Sequence, residues 1–259
     1  MSLEPHEYHE ALAQLAWQVE LGADEAIGSV AVDRYAEKTK PAEVKPAEVV
    51  APVAEAPADV SEEAARLAAG CSDLDALRAA VENFEGCDLR RGARNTVFAD
   101  GNPAARVMVI GEAPGKEEDR AGKPFIGASG KLLDKMLAAI GLSRMAEGRE
   151  QAVYITNVLP WRPPQNRDPL PEETAMMKPF LMRHIELIKP DFLMLVGNPS
   201  NQLLLDTEQG VTRLRGQWHE VAGIPAVSIF HPAYLLRAPA QKRLAWADLL
   251  MLKAKMEES

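Results

Sequence analysis

With 259 residues and a formal net charge of −9, the chain is long enough for one ordinary domain plus additional sequence. Its two cysteines, Cys71 and Cys87, are too few for a four-cysteine metal site. No apolar run approaches the ~20 residues of a membrane helix, and no basic-then-apolar signal pattern is present at the amino terminus. These features predict a reduced, cytoplasmic protein that does not associate with membranes.

The negative charge is concentrated in the amino-terminal part of the chain. Residues 1–70 contain 14 acidic and 5 basic residues, whereas residues 71–259 contain 24 of each sign. The carboxyl-terminal part is therefore neutral overall. A net charge of zero does not exclude binding of nucleic acid, because Arg and Lys can still cluster on one face of a domain.

Residues 1–22 predict a short amphipathic helix, with Tyr8, Leu12, Leu15 and Val19 on one face. Two interpretations stay open. The helix either docks on its own domain or binds a protein partner.

Residues 23–60 predict an acidic, Pro/Ala-rich, disordered linker. The sequence Lys-Pro-Ala-Glu-Val occurs twice in succession over 40–49, and further Ala-Pro pairs follow. Frequent proline blocks helix and sheet, and acidic residues favour an extended, solvated chain. We expect one folded domain over residues 61–259.

Four short apolar runs in this domain predict buried strands, and amphipathic helical patterns separate them: 107–110, 152–156, 191–196 and 225–230. The alternation predicts an α/β fold, namely a three-layer α/β/α arrangement around a central four-stranded, mostly parallel sheet.

A polar or turn-forming residue follows each strand, in the order Glu112, Asn157, Asn198 and His231. Ligand sites of open α/β sheets lie at the carboxyl ends of the strands, so these residues predict a site. Each also has a structural interpretation, as a solvated acid, a turn former or a strand cap.

The residue types at this edge suit hydrolysis of a base from a sugar, although they suit other reactions too. A carboxylate can orient water or stabilise a developing cation, and an Asn amide can both donate and accept. A histidine can stabilise a negatively charged leaving group. Phe125 is either a core residue or a platform for a planar ring, and the glycine-rich loop over 127–130 is either a tight turn or a phosphate site.

Several motifs resemble those of the family-4 uracil-DNA glycosylases. Gly111-Glu-Ala-Pro-Gly115 and Gly122-Lys-Pro-Phe-Ile-Gly127 resemble the first signature of that family. Ile155-Thr-Asn157, followed by Arg-Pro-Pro-x-Asn-Arg over 162–167, resembles the second. His231-Pro-Ala-Tyr-Leu-Leu-Arg237 resembles the last. The likeness runs from about 87 to 253 and does not include residues 1–70.

The resemblance implies a catalytic role for Glu112, which would position the hydrolytic water and stabilise the cationic sugar. His231 would support charge developing on the uracil. Phe125 would stack on the flipped base, Asn157 would bind its polar edge, and Glu118 would lie at the pocket wall. Such an enzyme is monofunctional and starts base excision repair.

The resemblance also implies contacts with uracil-containing DNA. A base inside a duplex is inaccessible, so it must be flipped out, and an apolar wedge helps to offset the lost stacking. The implied DNA-binding residues are Ser129, Gly130, Lys131, Arg162, Arg167, Tyr234, Leu235, Leu236 and Arg237. Arg213 and Arg215 are further candidates for a basic face. A monomer is the expected state.

One departure from the family concerns its cofactor. The resemblance implies four cysteines that bind a 4Fe-4S cluster, but those positions here are Phe84, Cys87, Trp161 and Met177. Such clusters are held by four ligands. Of the four positions here, only Cys87 supplies a thiolate. We therefore expect no cluster, no metal and an apolar core in its place.

Other functions stay open at this point. The alternative to an active glycosylase is a non-catalytic DNA-binding or repair-scaffolding protein with the same fold. A protein that traps uracil-DNA covalently through a histidine ranks lower, because the loop over 158–167 contains no histidine. A nucleosidase acting on small molecules would not explain the apolar segment over 234–237.

Overall fold

The computed structural model describes residues 58–258. The predictions for residues 1–22, and for most of the linker over 23–60, lie outside the described residues. The first described helix begins at Ala58, slightly before the predicted start of the domain at Ser61. No helix in the described range has the length and apolar character needed to cross a membrane.

Within that range the chain forms a mixed α/β structure around a six-stranded sheet, with the strand order β1-β3-β2-β4-β6-β5. The strands are β1 (Asp100–Gly101), β2 (Val107–Gly111), β3 (Val153–Asn157), β4 (Phe192–Val196), β5 (Trp218–Val221) and β6 (Ile224–Ile229). The four central strands are parallel, and β1 and β5 are antiparallel edges.

The predicted number of four strands is wrong, although the four predicted strands are the parallel ones, each within one residue at either end. The edge strands have no continuous apolar run. β1 has two residues, and β5 is only partly buried. Ala222 and Gly223, both with positive φ, join β5 to β6 in a tight hairpin.

Helices cover both faces of the sheet. They are α1 (Ala58–Ala69), α2 (Leu74–Asn83), α3 (Leu89–Gly92), α4 (Lys116–Ala121), α5 (Ala128–Ala139), α6 (Pro171–Ile188), α7 (Asn198–Leu205), α8 (Val211–Leu214), α9 (Pro232–Arg237) and α10 (Lys242–Glu258). Short 3-10 turns cover Pro164–Asn166 and Pro239–Gln241.

The alternation of side chains along β2 divides the core into two layers. Met108 and Ile110 pack with residues of α1, α2 and α6, whereas Val107 and Val109 pack with residues of α5 and α10. All four side chains are fully buried. Burying a side chain of this size contributes about 1.5–3 kcal/mol, so a sheet buried on both faces is a rigid base for its loops.

The strand register brings the polar strand ends together. Gly111 of β2 pairs with Asn157 of β3. On the other side of β2, Val196 of β4 pairs with Ile229 of β6. The residues that follow these strands therefore share one edge of the sheet, as the sequence predicted.

A buried ion pair attaches α10 to the segment after α8. The Arg215 guanidinium donates to both oxygens of Asp248, at 2.9 and 2.8 Å, and to the carbonyl of Leu244. Asp248 is buried, and burial raises the pKa of its carboxyl while Arg215 opposes that rise. Arg215, a candidate for the basic face, thus has a structural partner.

We expect Arg215→Ala to lower the free energy of unfolding by about 3–5 kcal/mol, because it leaves the Asp248 carboxylate buried without its cation. Urea denaturation would measure the change. The double variant Arg215→Leu, Asp248→Leu removes both charges, so its free energy of unfolding should fall by less. Equal losses in the two variants would contradict this account.

Candidate active site

A cavity of about 420 Å³ opens at the carboxyl edge of the sheet. Most of the site residues predicted from the sequence line it: Glu112, Glu118, Phe125, Ser129, Asn157, Arg167, His231, Tyr234 and Arg237. The other predicted residues do not: Gly130, Lys131, Arg162, Leu235 and Leu236. The loops after β2, β3 and β6 therefore converge on one concave site.

Glu112 is the first residue after β2. Its carbonyl accepts a hydrogen bond from the Leu159 N–H (3.0 Å), which holds the loops after β2 and β3 together. Its carboxylate faces the cavity and has no hydrogen-bond or ionic partner among the described residues. Burial, and then the like charge of Asp168, raises the pKa of Glu112 to about 7.

Gly111 lets two side chains approach each other closely. A Cβ atom at this position would overlap both the Asn157 side-chain oxygen and the Phe125 ring. The amide and the ring, both almost wholly buried, therefore both lie directly over Gly111 at the end of β2. The Asn157 amide has no side-chain hydrogen bond within the described range, so its donors and acceptor are free for a ligand.

The loop that carries Phe125 has an unusual backbone. Phe125 has φ +53°, a left-handed conformation that non-glycine residues rarely adopt. Gly130, in the first turn of α5, lies against the Phe125 carbonyl so closely that a Cβ atom there would overlap it. The first turn of α5 thus fits around this loop, and Gly130 is buried beneath it, whereas Lys131 is exposed.

Glu118 connects both glycine-rich loops. Its carboxylate accepts hydrogen bonds from the N–H groups of Gly115 (3.1 Å), Ile126 (3.0 Å) and Gly127 (2.9 Å). Glu118 lies at the cavity wall, where the resemblance places it, but its oxygens are engaged by backbone donors. Glu118 therefore holds the loop after β2 and the loop before α5 in place.

His231 caps the start of α9. The Ala233 N–H donates to its Nδ1 (3.2 Å), so in the neutral ring the proton is on Nε2. Burial, and then the nearby charge of Arg237, lowers the pKa of His231 to about 4, although Glu118 opposes the shift. Its ring centre lies 5.7 Å from that of Phe125. At neutral pH the cavity therefore contains an uncharged histidine.

The segment over 234–237 is exposed in part. Tyr234 is 37% exposed and Leu236 45%, and Arg237 is exposed beside them. The DNA contact of Leu235 stays a prediction, although this side chain is not exposed like its neighbours. Leu235 is 1% exposed and packs with Val211, Phe230 and Ala245 in the interior, because side chains of successive helical residues point in different directions.

Two arginines shape the loop after β3. Arg167 donates to both oxygens of Glu173 and to the carbonyl of Asp168, and Arg162 donates to the Asn166 side chain (2.6 Å). This loop also carries Asp168, which the sequence analysis missed. Its acidic side chain, directly after the Asn-Arg pair, was the available signal.

The positions that correspond to the cluster ligands are packed as a core. Phe84, Cys87, Trp161 and Met177 are all buried in one hydrophobic cluster. Phe84 stacks edge-to-face on Phe180, with ring centres 5.2 Å apart, and the Trp161 N–H donates to Thr96. These residues do not fit a 4Fe-4S cluster, because they supply one thiolate.

Comparisons with known proteins identify the family of this chain. Residues 98–250 match the family model described as the uracil DNA glycosylase superfamily. A protein named type-4 uracil-DNA glycosylase from Archaeoglobus fulgidus is 40% identical over 174 residues, which is 64% of this chain and 84% of the relative.

Proteins of the same name from Thermotoga maritima and Pyrobaculum aerophilum are 38% and 34% identical. Their alignments span 61% and 69% of this chain, and 80% and 92% of the relatives. The resemblance to the family-4 enzymes is therefore confirmed, and the chain belongs to the uracil DNA glycosylase superfamily.

Proposed function

We propose that this protein is a uracil-DNA glycosylase that hydrolyses the bond between uracil and deoxyribose in DNA. One observation carries the proposal. A partly buried carboxylate without a partner, Glu112, shares a cavity with a neutral histidine, a buried aromatic ring and a free amide. The names of its relatives support the same reaction.

The chemistry follows from the groups in the cavity. The uracil ring stacks on Phe125, and the Asn157 amide donates to and accepts from its polar edge. As the bond from the sugar to N1 breaks, its electron pair moves onto the uracil, and the Nε2–H of His231 donates to the oxygen that becomes negative. The Glu112 carboxylate stabilises the cationic sugar and orients the water that adds to it. The proton that this water loses passes to Glu112, and the sugar keeps the hydroxyl.

The shape of the site requires the base to leave the duplex. A base in the stack cannot reach a concave cavity at the end of a sheet, so it enters after rotation out of the helix. The exposed side chains of Tyr234 and Leu236 are the apolar groups beside the opening, and Arg237 and Lys131 supply positive charge for phosphates. Release of the base leaves an abasic site, which starts base excision repair.

The protein performs this chemistry without the family's cluster. The apolar core of Phe84, Trp161 and Met177 takes its place beneath the loop after β3. Every group assigned to the proposed reaction is a side chain of this protein, so we expect uracil release without a cluster.

We expect Glu112→Gln to lower the rate of uracil release by at least about 100-fold, because the isosteric amide cannot stabilise a cation. The measurement is single-turnover release from a uracil-containing oligonucleotide, with affinity for abasic DNA measured in parallel. Glu117→Gln, a neighbouring exposed acid outside the cavity, is the matched control.

Binding without release by the unaltered protein would instead support a DNA-binding or scaffolding function. Release from free deoxyuridine, with none from DNA, would support a nucleosidase.

The rate should rise with pH through an apparent pKa of about 7, because Glu112 is active as the carboxylate and its pKa is raised to about 7. His231 stays neutral over this range, since its pKa is about 4. Asp168→Asn removes the like charge and should move the rise to lower pH. Burial is the larger cause of the shift, so the pKa of Glu112 in Asp168→Asn should stay above its ordinary value.

Rates between pH 5 and 9 for the unaltered protein, Asp168→Asn and Glu186→Gln would test this expectation. Glu186 lies in the last turn of α6, at the opposite edge of the sheet, and should leave the profile unchanged. A profile that is flat from pH 5 to pH 8 would contradict the assignment of Glu112.

The purified protein should contain no iron and lack the visible absorbance of a cluster, and chelators should not alter its activity.

Trp161→Ala should lower the free energy of unfolding by about 3–5 kcal/mol, because it leaves a large cavity in the core. Trp246→Ala, at a half-exposed tryptophan of α10, should cost much less. Stoichiometric iron in protein expressed under reducing conditions would refute the cluster-free proposal.

A further inference from the structure

Phe125 occupies a backbone conformation that must be held by its surroundings. A left-handed φ at a non-glycine residue costs on the order of 1–3 kcal/mol and persists only where neighbouring groups fix it. The ring is buried against Asn157 at Gly111, so a small rotation of this peptide would move the ring out of register with the amide.

Arg144 binds the backbone at this point. Its Nη1 donates to the carbonyl of Pro124 (2.8 Å), and its Nη2 donates to the carbonyl of Phe125 (2.9 Å). These carbonyls belong to the peptide groups on either side of Phe125. One planar guanidinium therefore holds both flanking peptides, which fixes φ and ψ of the residue between them.

Two carboxylates hold the guanidinium itself. Asp134 of α5 accepts from Nε (2.8 Å), and Asp100 of β1 accepts from Nη1 (3.3 Å). The Arg144 side chain is 8% exposed, so water competes little for these bonds. The resemblance assigned no role to Arg144, because the residue lies outside its motifs.

We propose that Arg144 is a positioning residue that sets the orientation of the Phe125 ring for uracil. The inference rests on the proposed function and deepens it by assigning base recognition to a residue outside the cavity. Glu118 holds the next two N–H groups of the loop, so Arg144 and Glu118 fix the carbonyl and N–H groups around Phe125. No other side chain in the described range donates to either carbonyl.

Loss of Arg144 should affect recognition of uracil and leave binding to the DNA backbone unchanged. Without the guanidinium, Phe125 can relax to a negative φ, which turns its ring away from Asn157. Binding of DNA that lacks a base should not depend on this ring. A lysine keeps the charge but lacks the planar fork that spans two carbonyls.

The first measurement is amide hydrogen exchange over 125–127, which does not depend on activity. Arg144→Gln should exchange faster there than the unaltered protein, and Arg144→Lys should be intermediate. Arg149→Gln is the matched control, because Arg149 likewise donates to backbone and to a carboxylate, namely the Ala104 carbonyl and Asp191, but at the opposite edge of the sheet. Unchanged exchange in Arg144→Gln would overturn the proposal, whether or not the protein is a glycosylase.

The second measurement compares uracil release with DNA affinity. The single-turnover rate of Arg144→Gln should fall about 10–100-fold, the scale of a 1 Å misplacement, with partial recovery in Arg144→Lys. Affinity for an oligonucleotide with an abasic-site analogue should not change. A parallel loss of release and abasic-DNA affinity would indicate a merely structural role and overturn the proposal.

The two measurements separate this inference from the proposed function. If the unaltered protein releases no uracil, the proposed function fails, and hydrogen exchange still decides whether Arg144 positions Phe125. If the unaltered protein is active and Arg144→Gln is equally active, the inference about Arg144 fails alone.

Discussion

The site depends on the close approach of the Phe125 ring and the Asn157 amide to Gly111. Because β2 and β3 pair in parallel with Gly111 opposite Asn157, the amide is fixed by the sheet, and the absence of a side chain at Gly111 leaves room for the ring. The ring comes from a different loop, which Glu118 fastens from one side and Gly130 accommodates from the other. In the function we propose, recognition of a planar base therefore depends on the absence of a side chain at Gly111.

Burial acts in opposite directions on the two titratable groups of the cavity. It raises the pKa of Glu112 and lowers that of His231, because a low-dielectric site disfavours the charged form of either. Near pH 7, where the acid ionises, the histidine is therefore neutral. In the reaction we propose, a neutral donor beside the base and an ionised acid beside the sugar would match the charges that develop when the bond between them breaks.

The sequence predicted the features that follow from local pattern. Strand runs such as 107–110 are apolar and uninterrupted, and in a parallel sheet their ends must share an edge, so Glu112, Asn157 and His231 could be grouped. Features that depend on long-range packing could not. The orientation of Leu235, the approach of Asp168 to Glu112 and the bonds from Arg144 to the Phe125 loop join segments that local periodicity treats separately.

His231 joins the chemistry of the cavity to the helix that carries Tyr234 and Leu236. Its Nδ1 is occupied by the cap of α9, so the ring can neither flip nor exchange tautomer without uncapping that helix, at a cost of about 1 kcal/mol. The Nε2 donor therefore has one orientation before any substrate arrives. In the reaction we propose, little reorganisation energy remains to be supplied when negative charge appears on the base.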